Sequence, residues 1–181
     1  SIMLDRIKQI DTELLIFLNN LGNKSWDPMW LSITDKFTFL PLFILIIFFL
    51  FKKNGTKGLL VILLFISGLI LFTDQFTNVV KDFTQRLRPC RLDELQGLLR
   101  DIDIRCGKYG FFSAHAANSI SVTIFIINCV DESVKKFLKP VLILWVMIFS
   151  YSRIYLGVHY PLDTIFGLSF GIFSGFLFKY I

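Results

Sequence analysis

The sequence predicts an all-α integral membrane helical bundle: about five spans, preceded by an N-terminal amphipathic helix lying in the interface, in a single domain over residues 1–181. Three observations predict it. Hydrophobic residues make up 54% of the chain, with 21 Phe and a mean hydropathy of +0.64, above the ~45–50% apolar share of soluble domains. Charged residues are sparse within five long runs. No Pro-, Gly- or Ser-rich linker, repeat or low-complexity tract divides the chain.

Residues 4–21 place Leu4, Ile7, Leu14, Leu15 and Leu18 at helical spacing, with Asp5, Arg6, Lys8, Asp11 and Glu13 between them. That pattern predicts an amphipathic helix in the interface, a sixth span with its charges facing the bundle being the alternative. No basic start followed by an apolar stretch and a small-residue cleavage site opens the chain, so no cleaved signal peptide is expected. Trp26 and Trp30 precede the first span and suit headgroup depth.

The predicted spans are 37–51, 58–80, 109–130, 140–152 and 164–178. A straight span needs ~20 residues, so the shorter runs must borrow from their neighbours. The second run carries one acid, Asp74, read as an interhelical hydrogen-bonding group or a partner for a nearby site. In the last run Gly167, Gly171 and Gly175 form overlapping Gly-x3-Gly steps, which allow close approach by another helix, within the bundle in preference to a dimer seam.

Lysines mark one face of the membrane. Lys52, Lys53 and Lys57 lie in one short loop, Lys135, Lys136 and Lys139 in another, and Lys179 in the tail. The positive-inside rule makes those ends cytoplasmic, which places 81–112 and 153–163 together on the opposite face. The loop 81–108, with seven basic and five acidic residues, is the exception to the rule, and it fits if some of its cations serve a site. Cys90 and Cys106 share that outer loop, where an exported segment can oxidise. A disulfide between them is the expectation and two free thiols the alternative.

The chemistry gathers on that face. Lys81 and Arg88 stand seven residues apart, two helical turns and therefore one helix face. Arg153 follows an uncharged run and reaches the same layer. Three cations at a bilayer edge, together with the chain's only two histidines, His115 and His159, point to a phosphate site. Ser113 precedes the apolar run and suits an N-cap, leaving backbone N–H groups near Ala114 and His115 aimed at an anion. Pro161 suits a first helical turn, with His159 just before it and Asp163 within it. A carboxylate four residues on can hold one ring nitrogen of His159 and leave the other free to attack.

These segments, Lys81-x6-Arg88-Pro89, Phe112-Ser113-Ala114-His115 and Ser152-Arg153-x5-His159-x3-Asp163, resemble the three ordered motifs of the type 2 phosphatidic acid phosphatase family. Phe112 and Ala114 stand where the second motif usually has Pro and Gly. The resemblance implies a membrane phosphatase domain, a metal-independent lipid phosphomonoesterase or pyrophosphatase acting through a phosphohistidine. It makes His159 the nucleophile, Asp163 its orienting group and His115 the proton donor to the leaving oxygen. Lys81, Arg88, Ser113, Ala114 and Arg153 would hold the phosphoryl oxygens. No cofactor, metal ligand or nucleic-acid partner is expected, and the oligomeric state is left open. The implied setting is a bacterial inner membrane with the site facing the periplasm, acting on a phospholipid or an isoprenoid (pyro)phosphate. A non-hydrolytic carrier of phosphorylated lipid is the alternative; it explains the cations but gives no reason for the His159–Asp163 pairing. A vanadate-dependent haloperoxidase, which shares such an anion site, fits the apolar composition poorly.

Overall fold

The computed structural model describes residues 2–180, and its regular elements are helical. Helix α1 is Ile2–Asn20, α2 Asp27–Thr34, α3 Leu40–Thr84, α4 Ala114–Ile127, α5 Glu132–Tyr155 and α6 Pro161–Lys179. The segments Lys36–Thr84, Glu132–Tyr155 and Pro161–Lys179 are long and apolar enough to cross a membrane, and Ala114–Ile127 is a shorter apolar helix.

The first two predicted spans fall in α3 and the 3-10 turn Lys36–Phe39 that leads into it, and α3 is broken at Gly55 (φ 66°, ψ −175°). The predicted lysine loop is thus reduced to one glycine in a conformation that L side chains rarely adopt. The halves fold back on one another. Lys36 and Asp74 line the same cavity as His115, whereas Leu50 and Ile62 share a core with Val130 and Leu138. At that far end Lys53 Nζ donates to the carbonyl of Val130 at 2.9 Å and Asn54 Nδ2 to that of Cys129 at 3.1 Å. Both lysine-bearing turns therefore lie at one end of the bundle, opposite the histidines. Phe48, Leu60, Leu64, Leu71 and Leu144 project outward, as expected of a face solvated by lipid.

Helices α4 and α6 run parallel because of the glycine stripe. A Cβ on Gly167, Gly171 or Gly175 would come within 2.5, 2.3 and 2.8 Å of the carbonyl oxygens of Ser113, Ala117 and Ser121. The stripe works inside the bundle, and it brings both helix N-termini to the same end. Gly171→Ala is therefore expected to push the two backbones apart at a cost of about 1–3 kcal/mol. Gly68→Ala, whose nearest neighbour would be Phe178 Cε1 at 3.7 Å, should leave stability unchanged or slightly raised. Thermal unfolding of the two variants in detergent checks the contrast.

Two expectations change. The run 109–130 becomes helical only from Ala114, because Tyr109 forms a β-bridge with Leu87 and Ser113 caps α4. Lys81 and Arg88 do not share a helix face: α3 ends at Thr84, Gln85 turns left-handed (φ 47°), and Arg88 lies on extended backbone. Trp30 stacks on Tyr155 with ring centroids 4.9 Å apart, and Trp26 is exposed. Asp74 takes the interhelical role, accepting from Asn118 Nδ2 at 2.7 Å.

The helix over 4–21 forms as Ile2–Asn20, but the residues it buries are Asp11, Leu15 and Asn19. These recur every four residues and form one face. Ile7, Ile10, Leu14 and Phe17 stay exposed on the outside of the helix, where lipid can cover them.

Candidate active site

Polarity explains how the site is assembled. The two helices that end at this face, α3 and α5, carry Lys81 and Arg153 in their last turns, where the helix dipole favours cations. The two that begin there, α4 and α6, present N-termini, where it favours anions. Ser113 caps α4, its hydroxyl accepting from Ala116 N–H at 3.4 Å, and its own N–H donates to the carbonyl of Asp163 at 2.9 Å. That last bond ties the second motif to the third.

The five-residue gap between Arg153 and His159 is the tight end of α5. Gly157 takes φ 69°, and the N–H groups of Val158 and His159 both donate to the Arg153 carbonyl, at 3.1 and 3.2 Å. His159 is thereby fixed to the backbone of the arginine beside it. Its ring is 1% exposed, and its Nδ1 lies 3.3 Å from Asp163 Oδ2. That carboxylate oxygen also accepts from Tyr160 N–H at 3.0 Å. Nε2 is left as the free nitrogen. Burial, followed by the charges of Arg88, Arg153 and Lys81, holds the imidazole well below the usual histidine range. A neutral ring with one nitrogen occupied is the form a nitrogen nucleophile requires.

Arg88 arrives on a short ladder. Its N–H donates to the Lys108 carbonyl at 3.1 Å, Gly110 N–H donates to the Arg86 carbonyl at 2.9 Å, and Arg88 Nε donates to the Tyr109 carbonyl at 3.0 Å. The intervening loop is closed by a Cys90–Cys106 disulfide, as expected. Arg153 is 7% exposed, with Nη1 donating to Thr34 Oγ1 at 2.6 Å and Nε without a partner among the described residues. A buried guanidinium with an unmatched donor is costly unless an anion completes it. His115, in the first turn of α4, lies against Phe149 with ring centroids 5.4 Å apart. With Ala114 it lines a cavity of about 770 Å³ whose other walls include Ile46, Leu63, Ile66 and Leu142.

Four contributors escaped the sequence reading. Arg86, hidden inside the first motif, donates from Nη1 to Asp163 Oδ1 at 2.8 Å and from Nη2 to Asp11 Oδ2 at 2.6 Å, its guanidinium lying over the Tyr160 ring at 3.9 Å. Asp11 comes from α1, where charges spaced among leucines look like a solvated face. Thr34 sits in a helix too short to give a periodic signal. Gly110 is a close-approach position, since a Cβ there would lie 3.1 Å from Asp163 Oδ2 and 3.6 Å from His159 Nδ1. A glycine two residues before the second motif was its one visible sign.

A lipid-facing helical bundle that gathers cations and a buried His–Asp pair at one end defines a membrane phosphatase, a class in which the reacting phosphate meets the protein at the edge of the bilayer. The PAP2 superfamily model matches residues 57–181. The chain is 35% identical to a lipid A 4'-phosphatase of Bacteroides thetaiotaomicron, over 99% of this chain and 80% of that one. It is 31% identical to a lipid A 4'-phosphatase of Porphyromonas gingivalis, over 97% and 75%. The PAP2-type phosphatidylglycerolphosphate phosphatase of Bacillus subtilis has the same fold, with a TM-score of 0.75 at 21% identity over 96% of this chain and 85% of that one. The chain belongs to the PAP2 superfamily, as a membrane-helical lipid phosphatase.

Proposed function

We propose that this chain removes a terminal phosphate from lipid A at the outer face of a bacterial inner membrane, through a phosphohistidine on His159 and without a metal ion. The observation that carries the reading is the His159–Asp163 pair, buried beside Lys81, Arg88 and Arg153 with one ring nitrogen held and the other free. The substrate class comes from the two lipid A 4'-phosphatases that match along nearly the whole chain. The cavity lined by Ala114 and His115 suits an acyl chain, its other walls being mostly aliphatic and aromatic. The outer orientation rests on the two lysine-bearing turns meeting at the opposite end.

In the proposed reaction Nε2 of His159 attacks phosphorus while the bond to the lipid oxygen breaks, and His115 gives that oxygen a proton. Lys81, Arg88, Arg153 and the α4 N–H groups hold the three equatorial oxygens. Fixed cations and dipoles of this kind stabilise the charge that spreads over a transferring phosphoryl group. Water, losing its proton to His115, then attacks the phosphohistidine. Phosphate leaves and both histidines return to their starting forms. Asp163 keeps the proton on Nδ1 throughout, and the developing imidazolium faces its carboxylate.

Purified protein should release phosphate from lipid A faster than from phosphatidic acid, phosphatidylglycerophosphate or undecaprenyl pyrophosphate. The activity should persist in EDTA and be blocked by orthovanadate. Preference for another lipid in that panel would sink the substrate reading, and loss in EDTA reversed by a divalent cation would sink the metal-free mechanism.

A further inference from the structure

We propose that Asp11 and Arg86 are positioning residues for this chemistry, and that α1, outside the matched family region, is a working part of the active site. The inference rests on the phosphatase reading above. Its starting point is a fork: the two terminal nitrogens of Arg86 reach two different carboxylates, Asp163 Oδ1 on α6 at 2.8 Å and Asp11 Oδ2 on α1 at 2.6 Å. Asp163 Oδ2 faces His159 Nδ1, so the fork and the histidine hold opposite edges of one carboxylate. A planar guanidinium can make that two-point bridge, whereas a lysine ammonium has no fixed fork to span it.

Helix α1 also grips the turn that carries His159 on both sides. Before it, Asn19 Nδ2 donates to the Tyr155 carbonyl at 2.7 Å, while Asn19 Oδ1 accepts from Arg100 N–H at 2.8 Å. After it, Asp11 Oδ1 accepts from Leu162 N–H at 2.9 Å, filling an orphan donor in the first turn of α6. Asp11 and Asn19 are both buried and lie eight residues apart, about two helical turns, so one face of α1 spans residues 155–162. Leu15 sits between them in a cluster with Leu95, Ile154 and Tyr160. Burying a carboxylate and an amide is costly without partners, and here each side-chain oxygen has one. A helix that served only to lie on lipid would turn these two polar side chains outward. Here it does the reverse.

The groups facing His159 and Asp163 are Lys81 from α3, Arg86 and Arg88 from the ladder, His115 from α4, Arg153 from α5 and Tyr160 at the start of α6, with Asp11 behind Arg86. Arg86 is distinct among these cations because both its ends are already paired within the protein. Its charge is committed to carboxylates, which leaves Lys81, Arg88 and Arg153 for the phosphate.

A double-mutant cycle on lipid phosphate hydrolysis tests the chain of action from Asp11 through Arg86 to Asp163. Misplacing a reacting group can cost up to ~100-fold, so Arg86→Ala should lower kcat by about that factor and Asp11→Asn by about tenfold, each with KM within about twofold. Arg86→Lys should recover little. Adding Asp11→Asn to Arg86→Ala should then cost nothing more, because the amide oxygen of Asn can still accept from Leu162 N–H and the bond to Arg86 that it loses is already gone. Losses that multiply, or a raised KM with kcat intact, would overturn the proposal. Thermal unfolding in detergent is read on each variant, and Asp11→Glu, which keeps the charge, should restore part of kcat. Loss of kcat that merely tracks loss of folded protein across the set also overturns it. A wild-type protein that releases no phosphate overturns the phosphatase reading and this inference with it, whereas additive losses in an active enzyme overturn the inference alone.

Discussion

Replacing His159 with Ala is expected to reduce phosphate release by at least ~10⁴-fold, the scale seen when a covalent nucleophile is removed. The ring is the only imidazole with a carboxylate at Nδ1, and no cysteine or serine replaces its free nitrogen in that position among the described residues. Folding should survive, because the backbone N–H of residue 159 still donates to the Arg153 carbonyl. Incubation with a ³²P-labelled lipid phosphate followed by rapid quenching should give an acid-labile phosphoprotein in the wild type and none in the variant. Turnover near the wild-type level in His159→Ala would remove the proposed nucleophile.

The second large effect is expected at Asp163. Asp163→Asn preserves volume but divides the carboxylate into one acceptor and one donor. Asp163 Oδ2 receives Tyr160 N–H and faces His159 Nδ1, while Oδ1 receives Arg86. If the amide oxygen takes the Oδ2 position, the NH2 group points at the guanidinium. If the amide is flipped, its NH2 points at Tyr160 N–H and at Nδ1, forcing the proton of His159 onto the attacking nitrogen. Either arrangement leaves a buried donor facing a donor. Losing the correct tautomer alone costs ~10⁴-fold in a well-studied histidine triad, so kcat should fall by about 10³–10⁴-fold with a smaller change in KM. Steady-state kinetics on detergent-solubilised protein checks this, and a fall under tenfold would show that Asp163 does not orient the ring.

Much of the site was legible from local spacing. His159, Pro161 and Asp163 fall within five residues, His159 just before the N-cap Tyr160 and Asp163 in the first turn of α6, where its side chain reaches back over the helix start, so local spacing carries the geometry. Ser113 as the cap of α4 and the glycines of α6 were equally legible, since caps and small-residue steps act over one or two turns. The joint placement of Lys81 and Arg88 came out right for a wrong reason. They flank the same site, but the helix joining them on paper ends at Gln85, and the β-bridge to Tyr109 places the arginine.

The contributions of Asp11, Thr34 and Arg86 were not legible. Asp11 and Arg86 are 75 residues apart, and Arg153 and Thr34 are 119 apart. No periodicity links such pairs, and in sequence each reads as an ordinary polar residue on a helix or loop.

The sequence by itself determined the membrane class and the helical character and gathered the candidate residues at one face, because composition and spacing within a turn or two fix those; the roles assigned to the two histidines came from the family resemblance. Only the tertiary structure decided that α3 doubles back at one glycine, that α4 and α6 run parallel with both N-termini at the end that carries the histidines, and that α1 turns an aspartate and an asparagine inward. In a bilayer, apolar surface does not tell a helix which neighbour to choose. Close backbone approach and satisfied buried polar groups make that choice, and both depend on residues far apart in the chain.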